Sequence, residues 1–98
     1  LPKIKKTILK ESGYIYILKN KEFYKIGRSK NPKNRIKSYV TENPDEIEII
    51  LCEYVDDYKK AEEELHILFK DKKHRGEWFK LNNEDIELIK NYINKERI

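Results

Sequence analysis

Three consecutive glutamates, Glu62, Glu63 and Glu64, sit in a segment whose apolar residues Tyr58, Ala61, Leu65, Leu68 and Phe69 recur at helical spacing. Successive helical residues turn by about 100°, so the three carboxylates cannot share one environment. Measured from Ala61, the residues Tyr58, Leu65 and Phe69 fall at roughly 60°, 40° and 80°, and Glu62 at roughly 100°. Glu63 and Glu64 fall at roughly 200° and 300°, away from the apolar stripe or on its far shoulder. Glu62 therefore borders the buried stripe. A carboxylate placed there needs a cation, a hydrogen-bond donor or a metal ion, because burial without a partner is costly. The pattern alone leaves a structural ion pair and a ligand role both open. His66, at roughly 140°, reads as a boundary histidine that could also bond a substrate phosphate.

A second pair lies upstream. Arg35 and Tyr39 are four residues apart and so are neighbours on one side of a helix. The planar fork of an arginine suits phosphate oxygens, and a tyrosine hydroxyl beside it adds a donor. A surface arginine packed over a core tyrosine would give the same spacing. Tyr14 and Tyr16 point to one side of a strand, since strand side chains alternate. Half-buried packing and the start of a polar site are both open for them.

These residues need a scaffold, and the apolar pattern supplies one. Residues 14–18 and 22–26 are β-branched and aromatic runs separated by Lys19-Asn20-Lys21, which predicts a β-hairpin ending at Gly27. Asn31-Pro32 predicts a capping residue and a first helical proline, with a helix over 32–41 that turns Ile36, Tyr39 and Val40 to one face and stops at Asn43-Pro44. Residues 47–54 are apolar enough to predict a central third strand. Asp56 or Asp57 then caps a helix carrying the glutamates. Lys72-Lys73-His74-Arg75-Gly76 reads as a basic turn, Trp78 to Leu81 as a short extended segment, and the chain closes on a helix starting near Asn82 or Asn83 that buries Ile86, Ile89, Ile93 and Tyr92. The fold class expected is α+β, sandwich-like, with a small three-stranded antiparallel sheet flanked by three helices. Residues 1–12 are expected as a basic arm or linker, or a helix belonging to something upstream, and 13–98 as a single domain.

The composition allows one core and one site: 98 residues, 38% hydrophobic and 41% charged, with a mean hydropathy of -0.93. No apolar stretch approaches the roughly 20 residues that span a bilayer, and no leader opens the sequence, so no membrane partner is expected. The lone Cys52 fits a reducing, intracellular compartment (cytoplasm or nucleus) and excludes a zinc cluster of cysteines. The opening Leu1 and the absence of Met are expected of an excised part of a longer protein. The net charge of +4 is unevenly spread: eight Lys/Arg against Glu22 over residues 19–37, and ten acids against Lys59 and Lys60 over 41–64. Segregated basic and acidic surfaces point to a polyanionic partner or to solvated faces.

Taken in order, GYIYIL, YKIGRS, NPKNR followed by Tyr39, AEEELH and RGEWF resemble the GIY-YIG endonuclease superfamily, in its branch found in phages and large DNA viruses. The resemblance runs from Gly13 to about Leu81. It implies a metal-dependent endonuclease that hydrolyses phosphodiester bonds, with DNA ahead of RNA as partner and an additional DNA-binding domain elsewhere in the full-length protein. It places the motif tyrosine on Tyr16 with Tyr14 alongside, the helix arginine on Arg35, the following His/Tyr position on Tyr39, and the metal-binding glutamate on Glu62. The leading tyrosine of the second motif is replaced by Lys25, which could supply the cation that a proton-handling tyrosine needs. A late asparagine of many members is absent. One divalent ion, Mg²⁺ or Mn²⁺, is expected on Glu62, and Arg28, Lys30, Lys33 and His66 are expected as supporting contacts to the substrate. Two other readings stand beside this one: a DNA-binding module on the same fold that has lost cleavage, and a protein-interaction domain working through its acidic stretch.

Overall fold

The computed structural model describes residues 9–96. Strand β1 (Gly13–Asn20) turns at Lys21 and Glu22 into β2 (Phe23–Ser29), and helix α1 (Pro32–Glu42) follows. Then come β3 (Glu48–Val55), α2 (Tyr58–Leu68), a 3-10 turn (Lys70–Lys72), the short strands β4 (Lys73–Arg75) and β5 (Trp78–Lys80), and α3 (Asn83–Glu96). The α+β class and the three helices are as expected, and the antiparallel sheet has five strands in the order β3-β1-β2-β5-β4. Segments 72–76 and 78–81, read as a turn and an extended piece, add a small hairpin to the edge of the sheet. Gly76, with φ of 57°, supplies the left-handed residue at its tip.

Alternation along β1 splits the interior in two. Ile15 and Ile17 join Leu65 of α2 and Ile89 and Ile93 of α3 in the larger core. Tyr16 and Leu18 face the other way, against Ile36 of α1 with Tyr39, Val40 and Cys52 packed around them. Each fully buried isoleucine or leucine contributes roughly 2 kcal/mol relative to exposure, so the larger core carries most of the stability.

The third strand is not central. It lies at the edge beside β1, and only Leu51 and Val55 of it are buried, while Ile49 is half exposed. β1 and β2 each have a neighbour on both sides and are buried over Ile15–Leu18 and Tyr24–Gly27, so these two strands form the centre of the sheet. Helix α1 begins at Pro32 as expected, but Asn31 makes no side-chain cap. The Asn31 amide instead donates to Ser29 Oγ (2.9 Å). Helix α2 is capped by Asp57, which accepts from the Lys60 amide. Helix α3 opens with a reciprocal box, in which the Asp85 amide donates to Asn82 Oδ1 (2.9 Å) and the Asn82 amide to Asp85 Oδ2 (3.0 Å).

Of the expected basic arm, residues 1–8 lie outside the described residues. Residues 9–12 have no regular structure but are tied down, the Glu11 carbonyl accepting from the Tyr58 amide (3.0 Å) and its carboxylate pairing with Lys30 and Lys59. Among the described residues no helix is long and apolar enough to cross a membrane.

Candidate functional site

β2 outruns its neighbour. Phe23, Tyr24 and Lys25 pair with β5. Past them the Ile26 amide donates to the Glu77 carbonyl (3.1 Å) and His66 Nε2–H donates to the Ile26 carbonyl (2.9 Å). Gly27, Arg28 and Ser29 then continue beside β1 alone, leaving a notch where side chains from both faces of the sheet meet. A cleft of about 450 Å³ opens there.

Five of the residues singled out from the sequence line it: Tyr16 from β1, Arg28 from β2, Lys30 from the loop, Arg35 from α1 and Glu62 from α2. Ser29, Tyr58 and Glu77 complete the wall. The helical wheel that separated Glu62 from Glu63 and Glu64 agrees with its position: Glu62 is shielded, while Glu63 is exposed and Glu64 accepts a hydrogen bond from the Tyr92 hydroxyl.

Two glycines make room for this arrangement. Tyr16 lies opposite Gly27 in the β1–β2 ladder, and a Cβ at position 27 would collide with the Tyr16 ring and hydroxyl. A Cβ on Gly13 would come within 2.6 Å of the Tyr58 ring, which forms the cleft wall. The glycines of GYIYIL and YKIG are thus the steric counterparts of two site tyrosines.

Besides the exposed Lys30–Glu11 pair at the mouth, two ion pairs, each with one shielded partner, border the cleft. Arg28 Nε donates to Glu62 Oε1 at 3.0 Å, and the Arg28 guanidinium lies 5.2 Å over the Tyr58 ring. Lys25 Nζ donates to Glu77 Oε1 at 2.8 Å and sits 4.9 Å over the Tyr39 ring and 5.8 Å over Trp78. Lys25 is buried and does not line the cleft itself; it reaches the wall through Glu77. Burial pulls its pKa down, but hydrogen bonds to Glu77 and Tyr39 and their negative potential outweigh that, so the ammonium ends above its ordinary value. A lysine held that way is a fixed cation and cannot act as a base near neutral pH.

Burial pushes the Tyr16 hydroxyl up, and the interactions with Arg35 and Lys25 that favour the phenolate only partly offset it. Tyr16 stays protonated. The expectation that a neighbouring cation would let a tyrosine give up its proton runs against this environment, which suits the hydroxyl to orienting a water or a phosphate oxygen.

The other residues singled out stand elsewhere. Tyr14 shares a face with Tyr16 but sits near the strand end, edge-on to Tyr54 with ring centroids 5.2 Å apart. Tyr39 backs Lys25, and His66 braces β2 while lying edge-on to Phe79 at 4.9 Å. Lys33 is exposed on α1, outside the lining. Glu77 and Tyr58 were not among the residues expected in the site. Tyr58 was legible only as a core position, and Glu77 carried no periodic signal.

As for a metal, no group of three or more His, Cys, Asp or Glu side chains could hold an ion among the described residues. The donor available in the cleft is the shielded Glu62 carboxylate, a hard oxygen ligand with Glu77 in the same wall. That chemistry fits one Mg²⁺ or Mn²⁺ retaining most of its waters.

The model of the T5orf172 domain matches residues 13–94. Such a match is consistent with a phage-type nuclease-like or DNA-binding domain. No curated protein and no solved structure matched the chain.

Proposed function

The chain belongs to the T5orf172 domain family, and on that footing we propose that it is a GIY-YIG-type endonuclease domain hydrolysing phosphodiester bonds in DNA. One observation carries the reading: Arg35 and Glu62, distant in sequence and singled out from it separately, line a single cleft together with Tyr16 and Arg28. Phosphodiester hydrolysis needs an in-line water, neutralisation of charge on the non-bridging oxygens and stabilisation of the leaving oxygen. Arg35 forms no salt bridge to a carboxylate among the described residues, so its fork is available for the scissile phosphate. The Tyr16 hydroxyl, backed by Arg35, orients the attacking water: the water oxygen forms the new bond to phosphorus, the bond to the sugar oxygen breaks, and the proton released by the water is returned through solvent to the departing sugar oxygen. Lys30 stands at the mouth for a flanking phosphate. Glu62, with Glu77 nearby, would hold a divalent ion, and when bound that ion supplies further positive charge to the transition state. Arg28 is the counter-ion of Glu62 and would be free for substrate phosphate if a divalent cation took its place.

Lys25 favours a second reading. With a buried ammonium where the resemblance expects a tyrosine hydroxyl, the domain could bind DNA without cutting it. Incubating the purified chain with supercoiled plasmid in Mg²⁺ or Mn²⁺ separates the two. Nicked circles that do not form in EDTA are expected; salt-sensitive binding with no nicking in either metal would favour the binding module.

A further inference from the structure

The strand order sets two unlike edges at the two ends of the sheet. β3, at one edge, carries Glu48 and Glu53 and is bracketed by Asp45, Glu46 and Asp56. β4, at the other, is Lys73-His74-Arg75, exposed throughout. Neither Lys73 nor Arg75 pairs with a carboxylate among the described residues, whereas the neighbouring Lys72 and Lys80 are held by Asp85 and Glu22. The register shift between Lys73 and Arg75 makes His74 the extra residue of a bulge, and its ring stacks on Phe23 at 4.1 Å. Beside this stack lies a hollow of about 630 Å³, larger than the cleft.

This edge leads to the cleft. β4 runs into the hairpin tip at Gly76, and the next residue, Glu77, is part of the cleft wall and bonds β2 through its carbonyl. The hairpin is therefore fixed to the site. The cleft's own cations are committed to the reacting phosphate and its immediate flank, with Arg28 and Lys30 also paired with Glu62 and Glu11 in the free chain, so a polyanion continuing past the cleft needs further cations. A nucleic-acid strand leaving toward β3 would meet like charge, while one leaving along β4 meets Lys73 and Arg75 over about 7 Å, the rise of about two base pairs.

We propose that the β4 edge, with Lys73 and Arg75 as its phosphate contacts and the His74–Phe23 stack between them, is a second nucleic-acid contact that guides the backbone away from the cleft. The proposal rests on the nuclease reading for its direction, but its test does not require cleavage. Anisotropy titrations in EDTA would use the full chain with a labelled 30-base-pair duplex and a labelled 8-base-pair duplex over a range of KCl. For Lys73→Gln/Arg75→Gln, affinity for the long duplex is expected to fall about tenfold and the salt slope by about two, with a much smaller change for the short one. Both contacts are exposed, and thermal melts of this variant and of the charge-reversed Lys73→Glu/Arg75→Glu would show the fold retained. Unchanged long-duplex affinity and slope in both variants overturns the proposal, as does tight binding of the parent to a polyglutamate peptide with none to DNA. Plasmid nicking in Mg²⁺ is scored separately. Nicking that persists with binding unaffected sinks only the β4 contact, and a loss of binding in a chain that never nicks sinks only the nuclease reading.

Discussion

The two ion pairs with a shielded partner at the cleft are built in opposite senses. In the Lys25–Glu77 pair the cation is buried, with 7% of its side chain exposed, and the acid faces outward at 41%. In the Arg28–Glu62 pair the acid is shielded at 15% and the cation is the accessible partner at 36%. A buried group left without its counter-ion is expensive, whereas an exposed one is hydrated. The first pair therefore behaves as framework, its cation fixed beneath Tyr39 and Trp78. The second is built to exchange, because its cation is the accessible partner and, on the proposed function, would be released toward a phosphate if a divalent ion took its place on Glu62.

The comparison yields an asymmetry in each pair. Glu77→Ala strands the Lys25 ammonium and should cost about 2 kcal/mol, whereas Lys25→Met leaves an acid that water can reach and should cost less than about 1 kcal/mol. For a domain of this size about 2 kcal/mol lowers the melting midpoint by roughly 8–16 °C, which calorimetry reads directly. Equal costs for the two variants would break the framework assignment. In the second pair the order reverses between acid and cation. Arg28→Met should destabilise by about 1 kcal/mol by leaving Glu62 shielded and alone, and Glu62→Gln should change the midpoint less than Arg28→Met does. Urea titrations of both variants decide it.

A smaller effect concerns pH. Tyr16 and Lys25 hold their protons more tightly in the folded chain than their ordinary values imply. The stability this contributes is fully present below the unfolded values of about 10 and 10.5, and is lost as pH rises through the higher folded values. Their contribution should thus be flat from about pH 7 to 9 and fall above about 10. Melts across this range check the sign, and a midpoint that rises above pH 10 would contradict it. The smallest effect is at Cys52, which lies opposite Tyr16 and packs in the α1-side core. Burial, with Glu53 adding to it, pushes its thiol up, so alkylation at pH 8 should be slow and should quicken in Glu77→Ala if the framework pair loosens.

Much of this was legible in the residues themselves. The hairpin, the helix after Asn31-Pro32 and the choice of Glu62 from three glutamates follow from periodicity and helical rotation. The parts that escaped have physical reasons. β4 and β5 are three residues each, too short for an alternating pattern, and their cations read as a turn. β3 looked central because it is apolar, yet Ile49 and Tyr54 are half exposed at an edge. Lys25 was singled out by the resemblance alone, and nothing in its strand pattern foretold its burial or the Glu77 carboxylate, 52 residues away, that holds it. Tyr14 and Tyr16 are equivalent by alternation, and only the register, which sets Tyr16 against Gly27 and Tyr14 against Ser29, separates them.

The most direct test compares initial nicking rates of the parent chain and Glu62→Gln on supercoiled plasmid in Mg²⁺ or Mn²⁺, after melts confirm that both are folded. A cleft that works as described loses about a hundredfold or more in rate with the fold intact, as removal of a single electrostatic group from an active site does. Nicking by Glu62→Gln at the parental rate would place the chemistry elsewhere and contradict the account.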